Sequence, residues 1–198
     1  MLIGNMKVII LGYTKKQTKI FSFLKKKKLK VVEFGQKNID LKIIDKNDLV
    51  LSFGYRKIIH NKILKKLHKP IVNLHISYLP YNRGSHPVFW AFLDKTPSGV
   101  TIHELDKGID TGKIIYQKKI KFKLDGYLTF SKSYKMLINE VECLFYRHYK
   151  SLINYSYKSK FHEAKGTFHY KKNLPKNLNS FDEKISHYLK KITLEKCD

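Results

Sequence analysis

Four short apolar runs limit what this chain can fold into. They are Lys7 to Gly12 (KVIILG), Lys30 to Gly35 (KVVEFG), Asp48 to Phe53 (DLVLSF, followed by Gly54) and the IVNLH run that closes on His75. Each is apolar, most are rich in β-branched residues, and all are too short for a buried helix, so each reads as a strand. Thr14 to Lys28 places Ile20, Phe21, Phe23 and Leu24 at helical spacing, and Ile58 to Leu67 is compatible with a second helix that Pro70 stops. Strands alternating with helices predict an α/β fold, a Rossmann-like and mostly parallel sheet with helices on both faces. In such sheets ligands bind beyond the carboxyl ends of the strands. Asn73 and His75 lie there, two residues apart and therefore on one face of the fourth strand.

Pro80, Asn82 and Gly84 mark Ile76 to Ser85 as an irregular loop, and Pro87 fits the first turn of a short helix, PVFWAFLDK. Gly99 to Leu105 reads as a fifth strand, Asp106 to Gly112 as a tight loop and Lys113 to Phe122 as a further strand. Tyr127 to Ile153 carries Leu137, Val141, Leu144, Phe145 and Leu152 at the spacing of an amphipathic helix packed on the sheet. Residues 1–155 are thus expected to form one domain, and 156–198 a short C-terminal extension. In that extension Gly166 to Pro175 is a short strand or lobe over the site, and Phe181 to Leu194 a terminal helix.

Several functional classes are disfavoured. No stretch approaches the ~20 apolar residues that cross a bilayer, and MLIGNMKVIILG has no basic leader before an apolar core. The two cysteines, Cys143 and Cys197, support neither a disulfide framework nor a zinc site, so a reducing cytoplasm is expected. No H-E-x-x-H or C-x-x-C spacing supports a metal, and GYTKKQ after the first strand is no glycine-rich phosphate loop. The net charge of +24 raises nucleic acid as a partner. Only Arg56, Arg83 and Arg147 are arginine among the 40 basic residues, whereas bidentate recognition of phosphate and guanine favours arginine. A solvated lysine surface is the stronger reading, with a nucleic-acid face as the weaker one.

The stretch Asn73 to Gly112 concentrates the residues that chemistry would need. Asn73 offers an uncharged N–H donor for an oxyanion, His75 exchanges a proton near neutrality, and Asp110 can orient an imidazole or accept its proton. No Ser or Cys stands at a strand-to-helix elbow, so the attacking group would be the substrate's own, as in acyl transfer to an amine without a covalent enzyme adduct. Each residue also has a plainer reading. His103 on the fifth strand is expected to be a hydrogen-bonded structural histidine, and Asp110, between Gly108 and Gly112, could be a turn-former.

The order of the block Asn73-Leu74-His75, Leu79-Pro80, Arg83-Gly84, Gly99-Val100-Thr101-Ile102-His103 and Asp106-Lys107-Gly108-Ile109-Asp110-Thr111-Gly112 resembles the catalytic domain of the folate-dependent formyltransferases. The resemblance runs from about Lys7 to the long helix, most strongly from Phe53 to Ile115. It implies a catalytic triad at Asn73, His75 and Asp110. The cofactor 10-formyltetrahydrofolate would lie between two loops, one carrying Tyr55, Arg56, Lys57, Ile58 and Ile59, the other Leu105, Asp106 and Lys107. In the mechanism it implies, a substrate amine attacks the formyl carbon. Asn73 and His75 stabilise the oxyanion, and Asp110 assists proton removal.

The block NLHISYLPYNRGSHPVFWAF looks most like the sugar N-formyltransferases, which implies a nucleotide-linked dideoxy amino sugar as partner, of thymidine diphosphate type, in lipopolysaccharide precursor synthesis. Arg83 would bind a pyrophosphate, with Tyr81, Trp90 and Tyr170 stacking on sugar or base; core packing is the alternative for Trp90. A truncated methionyl-tRNA formyltransferase and an inactive folate- or RNA-binding relative are the alternatives. Longer members of the family carry a further region that can serve dimerisation or nucleotide binding, so a homodimer is an open expectation.

Overall fold

A computed structural model describes residues 6–162 and 165–194. Cys197 and most of the Met1-to-Asn5 leader lie outside the described residues. The strands β1 (Lys7–Gly12), β2 (Lys30–Gly35), β3 (Leu49–Phe53), β4 (Val72–His75), β6 (Ser98–Glu104) and β7 (Ile114–Ile120) form one sheet in the order β2-β1-β3-β4-β6-β7. The first four run parallel, whereas β6 is antiparallel to both neighbours. The mostly parallel sheet is therefore as expected, with one reversed strand in its second half. That reversal was not legible, because an apolar run carries no direction.

Alternation along the strands divides the core into two layers. Val8 and Ile10 of β1, Leu49 and Leu51 of β3, and Val72 and Leu74 of β4 face α1 (Ile20–Lys26) and the long α5 (Phe130–Ile153), which supplies Leu137, Val141, Leu144, Phe145, Leu152 and Ile153. On the opposite face Ile9, Leu11, Val50 and Ile71 meet α2 (Leu41–Asp45) and α3 (Asn61–Leu64). Neither short helix follows the expected outline. α3 is one turn rather than the span Ile58 to Leu67. α2 was not anticipated, although Asp40 caps it by accepting from the Ile43 N–H at 2.9 Å.

A third cluster joins α4 (Pro87–Leu93) to the start of α5 and to α6 (Ile185–Leu194) through Phe89, Trp90, Phe130, Ile185 and Tyr188. The C-terminal segment is also stitched in along its length. Lys160 bridges to Ile114, and β8 (Phe168–His169) pairs in parallel with β5 (Arg83–Gly84), inside the loop after β4.

Phe145 is fully buried between sheet and helices. Truncating such an aromatic removes transfer free energy and leaves a cavity. Phe145→Ala is expected to cost about 3–5 kcal/mol, read as a lowered urea midpoint without loss of cooperativity.

Candidate active site

The second apolar layer stops where β4 pairs with β6. Asn73 lies opposite His103 and His75 opposite Thr101 in the antiparallel register, so the four side chains share the face that Ile71 begins. All four are buried. Polar groups in such a place must be paired or they destabilise the fold. His103 Nδ1 lies 2.8 Å from the Glu104 carbonyl, which can only accept, so the ring proton is there. Nε2 then accepts from the Asn73 side-chain amide at 2.9 Å. His103 thus fixes the Asn73 amide in place and leaves its second N–H for the cleft. Thr101 serves the loop instead, donating to the Ser77 carbonyl at 2.7 Å and accepting from the Leu79 N–H at 3.2 Å.

Asp110 arrives from the loop between β6 and β7. Its Oδ1 lies 3.7 Å from His75 Nδ1 and 3.5 Å from His103 Nε2, and its Oδ2 accepts from the Gly84 N–H at 2.9 Å. Asp106 shapes that loop by accepting from the Gly108 N–H at 3.0 Å and from the Thr111 hydroxyl at 2.6 Å. Gly112 closes it, because a Cβ there would lie 1.8 Å from the Glu104 carbonyl oxygen. His162 pins the loop from outside, donating from Nε2 to the Gly112 carbonyl at 2.9 Å.

The Gly84 donor depends on the C-terminal segment. Thr167 accepts from the Asn82 N–H at 2.8 Å and donates to Asn82 Oδ1 at 3.1 Å, clamping a buried residue at φ 55. The Thr167 carbonyl receives the Arg83 N–H at 3.0 Å and the His169 carbonyl the Ser85 N–H at 2.9 Å. Gly84 itself has φ +89, and a Cβ would stand 2.4 Å from the His169 carbonyl oxygen.

Burial dominates the electrostatics but does not decide both groups alike. It pushes the His75 pKa down, more strongly than the Asp110 charge pulls it up, and His103 adds to the fall. Burial alone would raise Asp110, yet His75, His103 and the Gly84 N–H together hold it below the ordinary carboxylate range. At neutral pH the pair is therefore an ionised carboxylate beside a neutral imidazole. With Nδ1 turned to Asp110, the proton of His75 resides there. Nε2, which is buried without a partner in hydrogen-bonding geometry, presents a lone pair.

The other expected site residues fall in three groups. Arg56, Lys57 and Ile58 are exposed on the loop after β3, Ile58 at 79%, and Lys107 is exposed on the facing loop beside Asp106. Tyr55 is half-buried and donates to the Lys37 carbonyl at 2.7 Å, while Ile59 and Leu105 pack in the second core layer. Of the acceptor set, Tyr81 and Arg83 are half-buried and Tyr170 is 55% exposed. Trp90 is packed instead, only 7% exposed, with its ring stacked on His169 at 4.0 Å.

Gly84, His162 and Thr167 were not singled out. Their contribution is a backbone N–H or a contact made 50 to 85 positions away, neither of which leaves a local signal. His86, stacked on Phe181, is a further omission; burial lowers its pKa first, and Lys171 and Arg56 add to that. Among the described residues no group of three or more His, Cys, Asp or Glu could hold a metal ion, and no helix is long and apolar enough to cross a membrane.

The profile of the family described as Formyl transferase matches residues 4–132. The formyltransferase PseJ from Anoxybacillus kamchatkensis, solved in complex with UDP-4,6-dideoxy-4-formamido-L-AltNAc and tetrahydrofolate, is similar over 91% of this chain and 96% of its own, at 32% identity and a TM-score of 0.82. A dTDP-4-amino-4,6-dideoxyglucose formyltransferase of Mycobacterium bovis is 30% identical over 130 residues, 66% of this chain and 54% of that protein. A GDP-perosamine N-formyltransferase of Brucella melitensis is 38% identical over 74 residues, 37% of this chain and 29% of that protein. The chain spans 23% to 54% of the length of such curated relatives.

A buried neutral histidine binds its proton in the unfolded chain first, so its stabilising share is complete above the ordinary value of ~6.5 and is lost as pH falls. His86, His148 and His162 are shifted the same way. Stability should therefore decline from pH 7 to 5. His75→Gln should make that decline shallower by at most about 1.4 kcal/mol per pH unit, one proton's worth, as read from urea midpoints across the range.

Proposed function

The chain belongs to the formyl transferase family, and from that premise we propose that it is a folate-dependent N-formyltransferase acting on the amine of a nucleotide-linked dideoxy amino sugar. The observation that carries this reading is the arrangement around His75, an unpaired buried nitrogen flanked by an amide donor and an ionised carboxylate at the open end of the sheet. The similarity to PseJ in complex with tetrahydrofolate and a formamido sugar, over nearly the whole of both chains, supports the choice of donor and of acceptor class. Precursor synthesis for a surface glycan such as lipopolysaccharide would be the setting.

The chain's own groups fit a folate. The loops carrying Tyr55 to Ile59 and Leu105 to Asp110 present exposed apolar side chains, Ile58 and Ile109, where a flat ring system can be held by contact and by backbone polar groups. When bound, 10-formyltetrahydrofolate supplies an activated one-carbon acyl group that an amine can take.

The Asn73 amide, held by His103, donates to the oxygen that gains negative charge as the amine adds. His75 Nε2 accepts the proton that the amine sheds, and Asp110 stabilises the imidazolium so formed. This divides the labour differently from the family-based expectation, in which His75 shares the oxyanion with Asn73. A neutral imidazole whose proton faces Asp110 has no second N–H to donate. Tyr81, Arg83 and Tyr170 would hold the acceptor; Trp90, packed on His169, would support the wall.

The decisive measurement is incubation with 10-formyltetrahydrofolate and a panel of nucleotide-linked amino sugars, with charged initiator tRNA alongside, read by mass for an added formyl group. Product on a sugar and none on tRNA is expected; product on tRNA alone would overturn the reading. Asn73→Ala should lower kcat by ~10²–10³, the usual cost of one oxyanion donor, with the fold intact by circular dichroism. The pH profile of kcat/KM should fall on the acid side below about 6.5 as His75 protonates, and His75→Gln should remove that limb along with most of the activity.

A further inference from the structure

We propose that the cavity lined by Pro80, Arg83, Thr111, His162, Lys165 and Gly166 is the subsite for the diphosphate of the acceptor. The inference rests on the reading of the acceptor as nucleotide-linked. The cavity holds about 220 Å³ and opens between the loop after β4 and the C-terminal segment. Arg83 enters it with a half-buried guanidinium. Its Nε is buried without a hydrogen bond, and among the described residues it makes no ion pair. A planar cation left unpaired in a partly desolvated place is costly unless an anion completes it, and the arginine fork matches phosphate oxygens.

Lys165 adds a second fixed charge from the rim. His162 does not compete for the anion, since its Nε2–H is committed to the Gly112 carbonyl. Its pKa is held down first by burial, then by His103 and Arg83, against the opposite pulls of the Gly112 carbonyl and Asp106. Two lasting positive charges therefore face the cavity at pH 7.

Position assigns the anion to the acceptor. Arg83 precedes Gly84, whose N–H holds Asp110, and Thr111 follows Asp110, so the cavity shares its wall with the catalytic carboxylate. None of its lining residues comes from Tyr55–Ile59 or Leu105–Asp110, the loops assigned to the folate. A second cavity of about 220 Å³ near Lys15, Lys16 and Lys19 is also basic, but it lies between α1 and α5 and contains the Glu142 carboxylate. That carboxylate is already bonded to Thr18 and Lys19.

The test titrates the full chain at fixed ionic strength with inorganic pyrophosphate, with uridine diphosphate and, as a probe for the folate's glutamate tail, with N-acetylglutamate. Lys165→Gln, at an exposed position, and Arg83→Gln should each weaken pyrophosphate and uridine diphosphate at least about 10-fold, the usual effect of losing a charge-assisted contact. Lys16→Ala should leave them unchanged. In turnover, Lys165→Gln should raise KM for the sugar and not for 10-formyltetrahydrofolate. Equal weakening by Lys16→Ala, no effect of Lys165→Gln and Arg83→Gln, or preferred binding of N-acetylglutamate would each overturn the assignment. Sugar formylation with a KM indifferent to both residues would sink the subsite and leave the proposed function standing. Pyrophosphate binding that needs both residues, in a chain that formylates no sugar, would do the reverse.

Discussion

The antiparallel pairing of β6 with β4 is the constraint on which the site depends. A parallel neighbour would bring the start of a strand to the carboxyl end of β4. The reversed strand instead sets His103 directly across from Asn73 and Thr101 across from His75. Because side chains alternate, the same pairing sends Val100 and Ile102 into the main core beneath α5. One strand thus serves packing on one face and chemistry on the other, and a one-residue slip in register would exchange the two. The bond between Asn73 and His103 is the local expression of that register, and it converts a flexible amide into a donor with a fixed direction.

The carboxylate of Asp110 shows how the surrounding loops complete what the sheet begins. Burial opposes its ionisation, and the charge survives only because two imidazoles and the Gly84 N–H converge on it. That N–H is aimed by a loop held in turn by Thr167, Phe168 and His169. The residues after α5 are therefore built into the reactive centre rather than appended to it. His75 is the counterpart, kept neutral by the same burial that Asp110 resists. Two neighbouring groups whose pKa values are pushed in these ways divide the roles of base and stabilising charge.

Much of this was legible in the sequence. The strand runs, the long helix, the placement of Asn73 and His75 on one strand face and the loop carrying Asp110 follow from periodicity and turn chemistry. What escaped was long-range. Direction of β6, the clamp of Thr167 on Asn82 and the hold of His162 on Gly112 are set by tertiary contacts with no periodic trace. Short helices were also blurred, since α3 spans four residues and α2 five, too few for a hydrophobic stripe. Trp90 illustrates the opposite difficulty. A tryptophan near a cleft can be platform or core, and only its stacking on His169 decides in favour of packing.

The charge of the chain bears on selectivity in a way its total does not suggest. With +24 spread over lysines, the protein attracts any anion at long range, but such fields fade over about 8–10 Å at physiological salt. Attraction of that kind raises encounter rates without choosing among partners. Discrimination has to come from charges whose geometry is fixed and whose hydration is already reduced. Among the three arginines, Arg83 meets that description, half-buried and one residue from the glycine that holds Asp110. The lysine coat gathers anions, and a single arginine beside the catalytic carboxylate is positioned to choose among them.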